Sequence, residues 1–376
     1  MKIIFLCGAM EPGRDGVGDY IRRLAGELIR QDHQVAVIAI NDRHIQAISD
    51  GFQDAEGAAL PVLRLPVNLV AKARFELAKK WISTFQPDWI SLQFVPFAFH
   101  PKGLAFGFSR QLTRLGNTHK WHIMFHELWV GMDKESGNKF ACWGWLQRRL
   151  IHSIKNNLAP KLVHTQTRLY QTHLNKMGFK AQYLPLCSNI PNTATNAATI
   201  DTRVENTDKK NIVFVMFGGI HPGAPVESFA KEAAGFAAKA NTSIHLLIIG
   251  RCGKEQAIWE AAWIAAGLPV TLLGEQTPER ISLELSRATI GVSTTPIELA
   301  EKSGSVAAMQ SHGLPVVCVS QPWEPRGLPN PIPPEGVMEY HAGNFESCMR
   351  LQPPELLLNS ISEISGQLYQ GFLAAN

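Results

Sequence analysis

Short runs of Val, Ile, Leu and Phe recur along the chain, separated by longer stretches patterned as helices. This alternation predicts buried parallel strands with helices on both faces of a sheet. The first series is Lys2–Gly8, Gln34–Ile40, Val62–Leu65, Trp89–Phe94, Trp121–His126 and Lys161–Thr165. The pattern then stops. Residues 191–210, PNTATNAATIDTRVENTDKK, are polar and lack aromatic side chains, and read as a connection. A second series follows at Ile212–Phe217, Ile244–Ile249, Val270–Leu273, Thr289–Ser293 and Val316–Val319. Pro322–Pro334 is too rich in proline for a helix or a central strand, and Pro354–Ala375 reads as a closing helix. The expectation is two doubly wound α/β domains: 1–190, a linker at 191–210, and 211–350. A C-terminal helical segment at 351–376 could cross back to the first domain.

The length of 376 residues suits two domains, and 45% hydrophobic with 18% charged residues describes an ordinary globular chain rather than a disordered one. Six dispersed cysteines without a CxxC pair read as reduced core residues of a cytoplasmic protein. No apolar run approaches the ~18 residues of a membrane span, and Met1 leads straight into a strand pattern, so neither span nor signal peptide is expected. Charge changes the picture more. Residues 1–190 hold 24 Lys+Arg against 14 Asp+Glu, whereas residues 191–376 hold 12 against 18. A basic first half points to an anionic substrate or surface. Its cations lie on Ala71–Phe85 and Phe140–Leu158 among Trp81, Trp143 and Trp145, a mixture fitting peripheral contact with the inner membrane surface or an ordinary amphipathic helix. The acidic second half and the lack of a motif argue against nucleic acid as a partner.

Ligands of doubly wound sheets bind beyond the carboxyl ends of the strands. After the first strand, Gly16 and Gly18 in GVGDY precede a helix pattern from Ile21, a turn able to approach an anion. A dinucleotide fingerprint would require GxGxxG directly after the strand, so a nicotinamide dehydrogenase is disfavoured. His126 ends the fifth run, where an imidazole can meet a sugar hydroxyl or serve structurally. In the second half, Gly219, Arg251 and Lys254 follow strands and could meet phosphate oxygens. Lys302, Ser303, Gly304 and Ser305 stand where a loop enters a helix, so backbone N–H groups, two hydroxyls and a lysine converge on its positive end. A diphosphate fits that convergence, and plain helix capping is the alternative.

The order of GVGDY, a strand-ending His126, a polar linker, LLGEQTPERI and TPIELAEKSGSVAAMQSHGLPVV resembles the family 4 nucleotide-sugar glycosyltransferases over nearly the whole chain. That resemblance implies the GT-B fold: two Rossmann-like doubly wound domains facing a central cleft. It also implies transfer of a sugar from a nucleoside diphosphate sugar to an acceptor hydroxyl, with retention, as in glycolipid or polysaccharide synthesis. No metal or cofactor is expected; the nucleotide sugar is the substrate, and the acceptor is a carbohydrate or lipid-linked molecule. His126 and Lys302 would be catalytic. The diphosphate would meet Gly16, Gly18, Gly219, Arg251, Lys254, Ser303, Gly304 and Ser305, with Glu275 and Gln276 bordering the base and ribose. The family's paired glutamates fall on Ala300 and Ala308, leaving Glu298 or Glu301 to contact the sugar. The missing pair also admits an inactive scaffold that binds sugar nucleotides or a partner. A sugar-nucleotide epimerase would share the fold but needs acid and base groups that the sequence does not locate.

Overall fold

The computed structural model describes residues 1–116, 119–193, 211–355 and 360–375. Most of the expected linker, 194–210, lies outside the described residues, as do 356–359 of the closing segment. The chain divides into two compact units: 1–187 with 325–329 and 361–376, and 188–324 with 330–360. No helix among the described residues is long and apolar enough to cross a membrane.

The first unit runs β1 (Lys2–Cys7), α1 (Gly16–Arg30), β2 (Gln34–Asp42), β3 (Ser49–Ala55), β4 (Ala58–Pro66), α2 (Ala71–Phe85), β5 (Trp89–Phe94), α3 (Pro96–Phe99), α4 (Phe108–Leu115), β6 (Lys120–Phe125), α5 (Asn138–Leu158), β7 (Leu162–Thr165), α6 (Arg168–Lys176) and β8 (Ala181–Tyr183). The strands form one sheet ordered β3-β4-β2-β1-β5-β6-β7-β8. All neighbours are parallel except β3, which pairs antiparallel with β4 at the edge. The hydrophobic pattern does not predict β3, because SDGFQDA is polar and mostly exposed, as an edge strand can be. The turn Glu56-Gly57, both at positive φ, reverses the chain into β4 and extends that strand beyond its predicted bounds. The C-terminal helix, Ile361–Ala374 (α12 in chain order), packs on α1 and sets Phe372 against Trp89, with ring centroids 4.8 Å apart.

The second unit contains β9 (Asn211–Phe217), α7 (Val226–Ala240), β10 (Ser243–Ile249), α8 (Gln256–Ala265), β11 (Val270–Gly274), α9 (Pro278–Arg287), β12 (Ile290–Ser293), α10 (Gly304–Ser311), β13 (Val316–Cys318), β14 (Val337–Glu339) and α11 (Phe345–Cys348). Its sheet, ordered β11-β10-β9-β12-β13-β14, is parallel throughout. One face packs Phe214, Phe229, Trp259, Trp263 and Phe345, and the other packs Val215, Leu285, Val306 and Met309. Double-sided burial explains why these strands read as unbroken apolar runs.

Candidate functional site

Strand order reverses between β9 and β12 in the second unit, and such a switch point opens a crevice beyond the strand ends. The loops after these strands meet there. His221 N, after β9, donates to Thr294 Oγ1, after β12, at 2.8 Å. The chain then makes a 3-10 turn (Ile297–Lys302) that ends where Ser303 adopts an extended conformation and becomes the N-cap of α10. Ser303 Oγ accepts from Val306 N, receives the Thr295 hydroxyl at 3.3 Å and lies 3.0 Å from Ser305 Oγ. With Val306 N taken by the cap, the N–H groups of Gly304 and Ser305 stand ahead of the intrahelical ladder, at the positive end of the helix. Space beside Gly304 is open: an added Cβ would approach only Asn189 Nδ2, at 3.9 Å.

Electrostatics agree with that geometry. Burial lowers the pKa of His221, and the positive charge of Lys302 lowers it further, so near neutral pH the imidazole is uncharged while the lysine beside it carries the charge. Ser293, Thr294, Thr295 and Ser320 add a buried polar rim at the ends of β12 and β13, and Ser320 Oγ has no partner among the described residues. One cation, a neutral imidazole, several hydroxyls and helix N–H groups suit a ligand with many acceptor oxygens, such as a diphosphate. The sequence pattern by itself assigns no role to His221, Thr294 or Thr295. Their signal was positional, directly after β9 and β12, and became readable only with the strand order.

The remaining expected donors are distributed differently. Arg251 Nε lies 3.3 Å from Glu275 Oε1, so the loops after β10 and β11 neutralise each other's charge. Gln276 Nε2 turns back to Leu273 O at 2.6 Å. The Lys254 side chain is 90% exposed with Glu255 4.0 Å away, a solvated position rather than a converging one. Gly219 is exposed, and it is Gly218 that takes the positive φ of that loop. Glu298 is buried, and after burial itself its charge and that of Glu339 raise the Cys318 thiol, so this carboxylate sits inward. Glu301 is half-buried next to Lys302. Ala300 and Ala308 are both fully buried in the apolar layer.

In the first unit two expectations need correction. The helix begins at Gly16, not Ile21, so Gly16 and Gly18 are first-turn helical residues rather than a loop. Asp15 is its N-cap, and Asp15 Oδ1 already accepts from Gly18 N at 2.8 Å, so a carboxylate occupies the place expected for a phosphate. Gly18 serves packing, since a Cβ there would lie 3.0 Å from Ala9 O. The switch point between β1 and β5 is filled as well: a Cβ on Gly8 would fall 2.7 Å from Ala98 Cβ, and Asn41 Nδ2 donates to Ala98 O. The loop after β1 is further fixed by Asp42, fully buried at the end of β2. Burial alone would raise this carboxyl, but hydrogen bonds from Arg64, His44 N and Met10 N hold it below its ordinary value.

His126 is buried, with Nε2 2.8 Å from Gln93 Oε1 and Nδ1 3.1 Å from Gln166 Oε1. Burial lowers its pKa to about 4, so the ring is neutral and donates through one nitrogen only. Gln93 Nε2 donates to Ser91 Oγ, fixing Gln93 Oε1 as acceptor of His126 Nε2–H. Nδ1 then accepts, which requires the Gln166 amide turned over, and that rotation also uses its otherwise orphaned Nε2. The row continues from Ser91 Oγ to His122 Nδ1 at 2.7 Å, from His122 Nε2 to His164 Nδ1 at 3.0 Å, and on to Gln182. Both nitrogens of His126 thus serve a buried polar row rather than a ligand, a role that required Gln93 and Gln166, neither legible in the linear pattern.

A scan against models of known protein families finds no match, and a search of curated proteins finds none. Solved structures do resemble the chain. HepE from Anabaena, crystallised with UDP and glucose, superposes with a TM-score of 0.58 at 14% identity over 100% of both chains. The lipopolysaccharide outer core galactosyltransferase WaaB gives 0.53 at 14% identity over 100% of this chain and 99% of that one. A UDP-GlcNAc 2-epimerase from Neisseria meningitidis, bound to UDP-GlcNAc, gives 0.52 at 12% over 100% of both. At these identities the likeness is one of fold: two α/β domains, each built on a largely parallel sheet, of the GT-B type.

Proposed function

We propose that this chain is a glycosyltransferase that moves a sugar from a nucleoside diphosphate donor to an acceptor hydroxyl, with the donor diphosphate held by the second unit. The observation that carries this is the convergence of Lys302, His221, Thr294, Ser303, Ser305 and the first N–H groups of α10 at the β9/β12 switch point. In the transfer the anomeric C–O bond to the diphosphate breaks while the acceptor oxygen bonds to the same carbon. Charge grows on the departing phosphate, and the groups around Ser303 are already oriented toward such charge. With retention, the acceptor proton passes to the departing phosphate oxygen, so no strong protein base is required. This reading places charge neutralisation on Lys302 and the helix N–H groups rather than on a metal ion. A lipid-linked or anionic carbohydrate acceptor on the inner membrane surface suits the basic first unit.

His126 can reach a sugar only by exchanging one of its glutamine partners, so its part in this proposal is to hold the end of β6. A second reading, a sugar-nucleotide-binding scaffold without turnover, is favoured by one observation: Ala300 and Ala308 put buried methyl groups where the resembling family carries glutamates. Calorimetry with UDP and GDP, followed by a donor hydrolysis assay, separates the two. Binding with turnover supports transfer and binding without turnover supports the scaffold. No binding by wild type, or binding that Lys302→Ala leaves intact, would overturn both.

A further inference from the structure

The basic excess of the first unit is confined to one half of its sheet. Residues 1–88 carry eleven Lys+Arg and eleven Asp+Glu, whereas residues 89–190 carry thirteen and three. That second segment builds β5 to β8 with α4 and α5, which pack together. α5 has 21 residues without a single Asp or Glu. Its inner stripe is Gly144, Gln147, Ile151, Ile154 and Leu158, and the opposite stripe presents Cys142, Trp145, Arg149, His152 and Asn156 to solvent. Trp145 is 51% exposed and Phe140 46%. The loop before α4, fastened to α5 by Trp143 Nε1 donating to Lys102 O at 2.8 Å, exposes Phe106 to 69%. Arg149 lies 4.8 Å from the Trp145 ring, and exposed Arg110 and Arg114 continue the positive charge on α4. A shallow hollow lined by Arg149, His152, Ser153, Asn156 and Asn157 offers donors and no carboxylate. The contrast with α2 is direct: it carries Glu76, exposes no large apolar side chain, and keeps Trp81 stacked on Phe85.

The geometry points to the α4–α5 face as a docking surface for an anionic lipid bilayer, with Phe106, Phe140 and Trp145 entering the interface and the arginines meeting lipid phosphates. Large aromatic side chains left in water lose the free energy that burial in the headgroup layer returns, and cations beside them are attracted by the leaflet's negative potential. This inference concerns the first unit and stands whether or not the chain transfers sugar.

The test is flotation of the full chain with vesicles of phosphatidylcholine alone or with about 30 mol% phosphatidylglycerol. Binding is expected to the mixed vesicles only, and to vanish at about 1 M salt, where charge is screened within ~3 Å. Arg110→Gln with Arg149→Gln should lower partitioning about 30-fold, since each cation near the surface contributes roughly fivefold. Trp145→Ser should lower it independently, and Lys79→Gln with Lys80→Gln on α2 should not. All these positions are exposed, so unchanged thermal melting controls for folding. Equal binding to neutral vesicles, no binding to either, or an equal loss from the α2 variant overturns the proposal. So does binding of a labelled DNA duplex, sensitive to the double arginine variant, in the absence of vesicle binding, which would assign the face to nucleic acid.

Discussion

Acidification from about pH 7 to about pH 5 is expected to cost the first unit about 4 kcal/mol of stability through His126 and His164 alone. Both rings are buried in the polar row between β5 and β8, and burial lowers each pKa to about 4. In the unfolded chain each returns to about 6.5, so between the two values the unfolded state binds the extra proton. The sign follows: stability is fully present above the unfolded value and is lost as the pH falls toward the folded one. Integrating the linkage to about pH 5 gives roughly 2 kcal/mol per ring. His122, in the same row, is lowered by burial and by its neighbours His164 and His126, and adds to the loss. The assay is urea unfolding at a series of pH values, read by hydrogen exchange of peptides from β5, β6 and β7 so that the first unit is followed alone. His164→Gln keeps an amide in the row and removes one titrating ring. Whatever its stability at pH 7, its dependence on pH should be shallower by up to about 1.4 kcal/mol per unit. A wild-type curve flat across this window, or a variant with the wild-type slope, would refute neutral burial of the row.

Arg64→Met leaves the buried Asp42 carboxylate without its ion pair and should cost about 3–5 kcal/mol at neutral pH; the deficit relative to wild type should shrink in acid, as Asp42 takes a proton, and denaturant titration at two pH values checks this. Gly8→Ala forces a Cβ to within 2.7 Å of Ala98 and should destabilise by about 1–3 kcal/mol, whereas Gly16→Ala, with open space around it in the first turn of α1, should be neutral or mildly stabilising in thermal melts. Lys302→Ala should weaken UDP binding at least tenfold, as expected for loss of a charge-assisted contact of about 1.5–3 kcal/mol, while Lys254→Ala changes it less than about twofold; calorimetry on both variants decides whether the cation at the switch point is the one that matters.

How much of this was legible beforehand differs between the elements and the site. The strands at the centre of both sheets are visible in the sequence, because β1, β2, β5 and β9 are buried on both faces and hydrophobicity along the chain records burial directly. The strands that escaped were β3, a polar edge, and the three-residue β8 and β14, too short to leave a pattern. At the site, the turn at Lys302–Ser305 was readable because capping chemistry is local: Ser303 caps a helix that begins at the next residue. The same local logic failed at Gly16 and Gly18, where Asp15 started the helix one turn earlier than the glycines suggested.

What the chain alone determined is therefore the set of elements, the charge asymmetry and the one capped turn, each a property of neighbouring residues. Which loops meet was decided by tertiary structure. Strand order placed His221 beside Thr294 and Lys302 across more than seventy positions of sequence, put Gln93 and Gln166 on either side of His126, and closed the first unit's switch point with Ala98. A hydrogen bond needs about 3 Å between its atoms and takes no account of sequence separation, so contacts between loops follow from the order in which strands pair and cannot be read from adjacency along the chain.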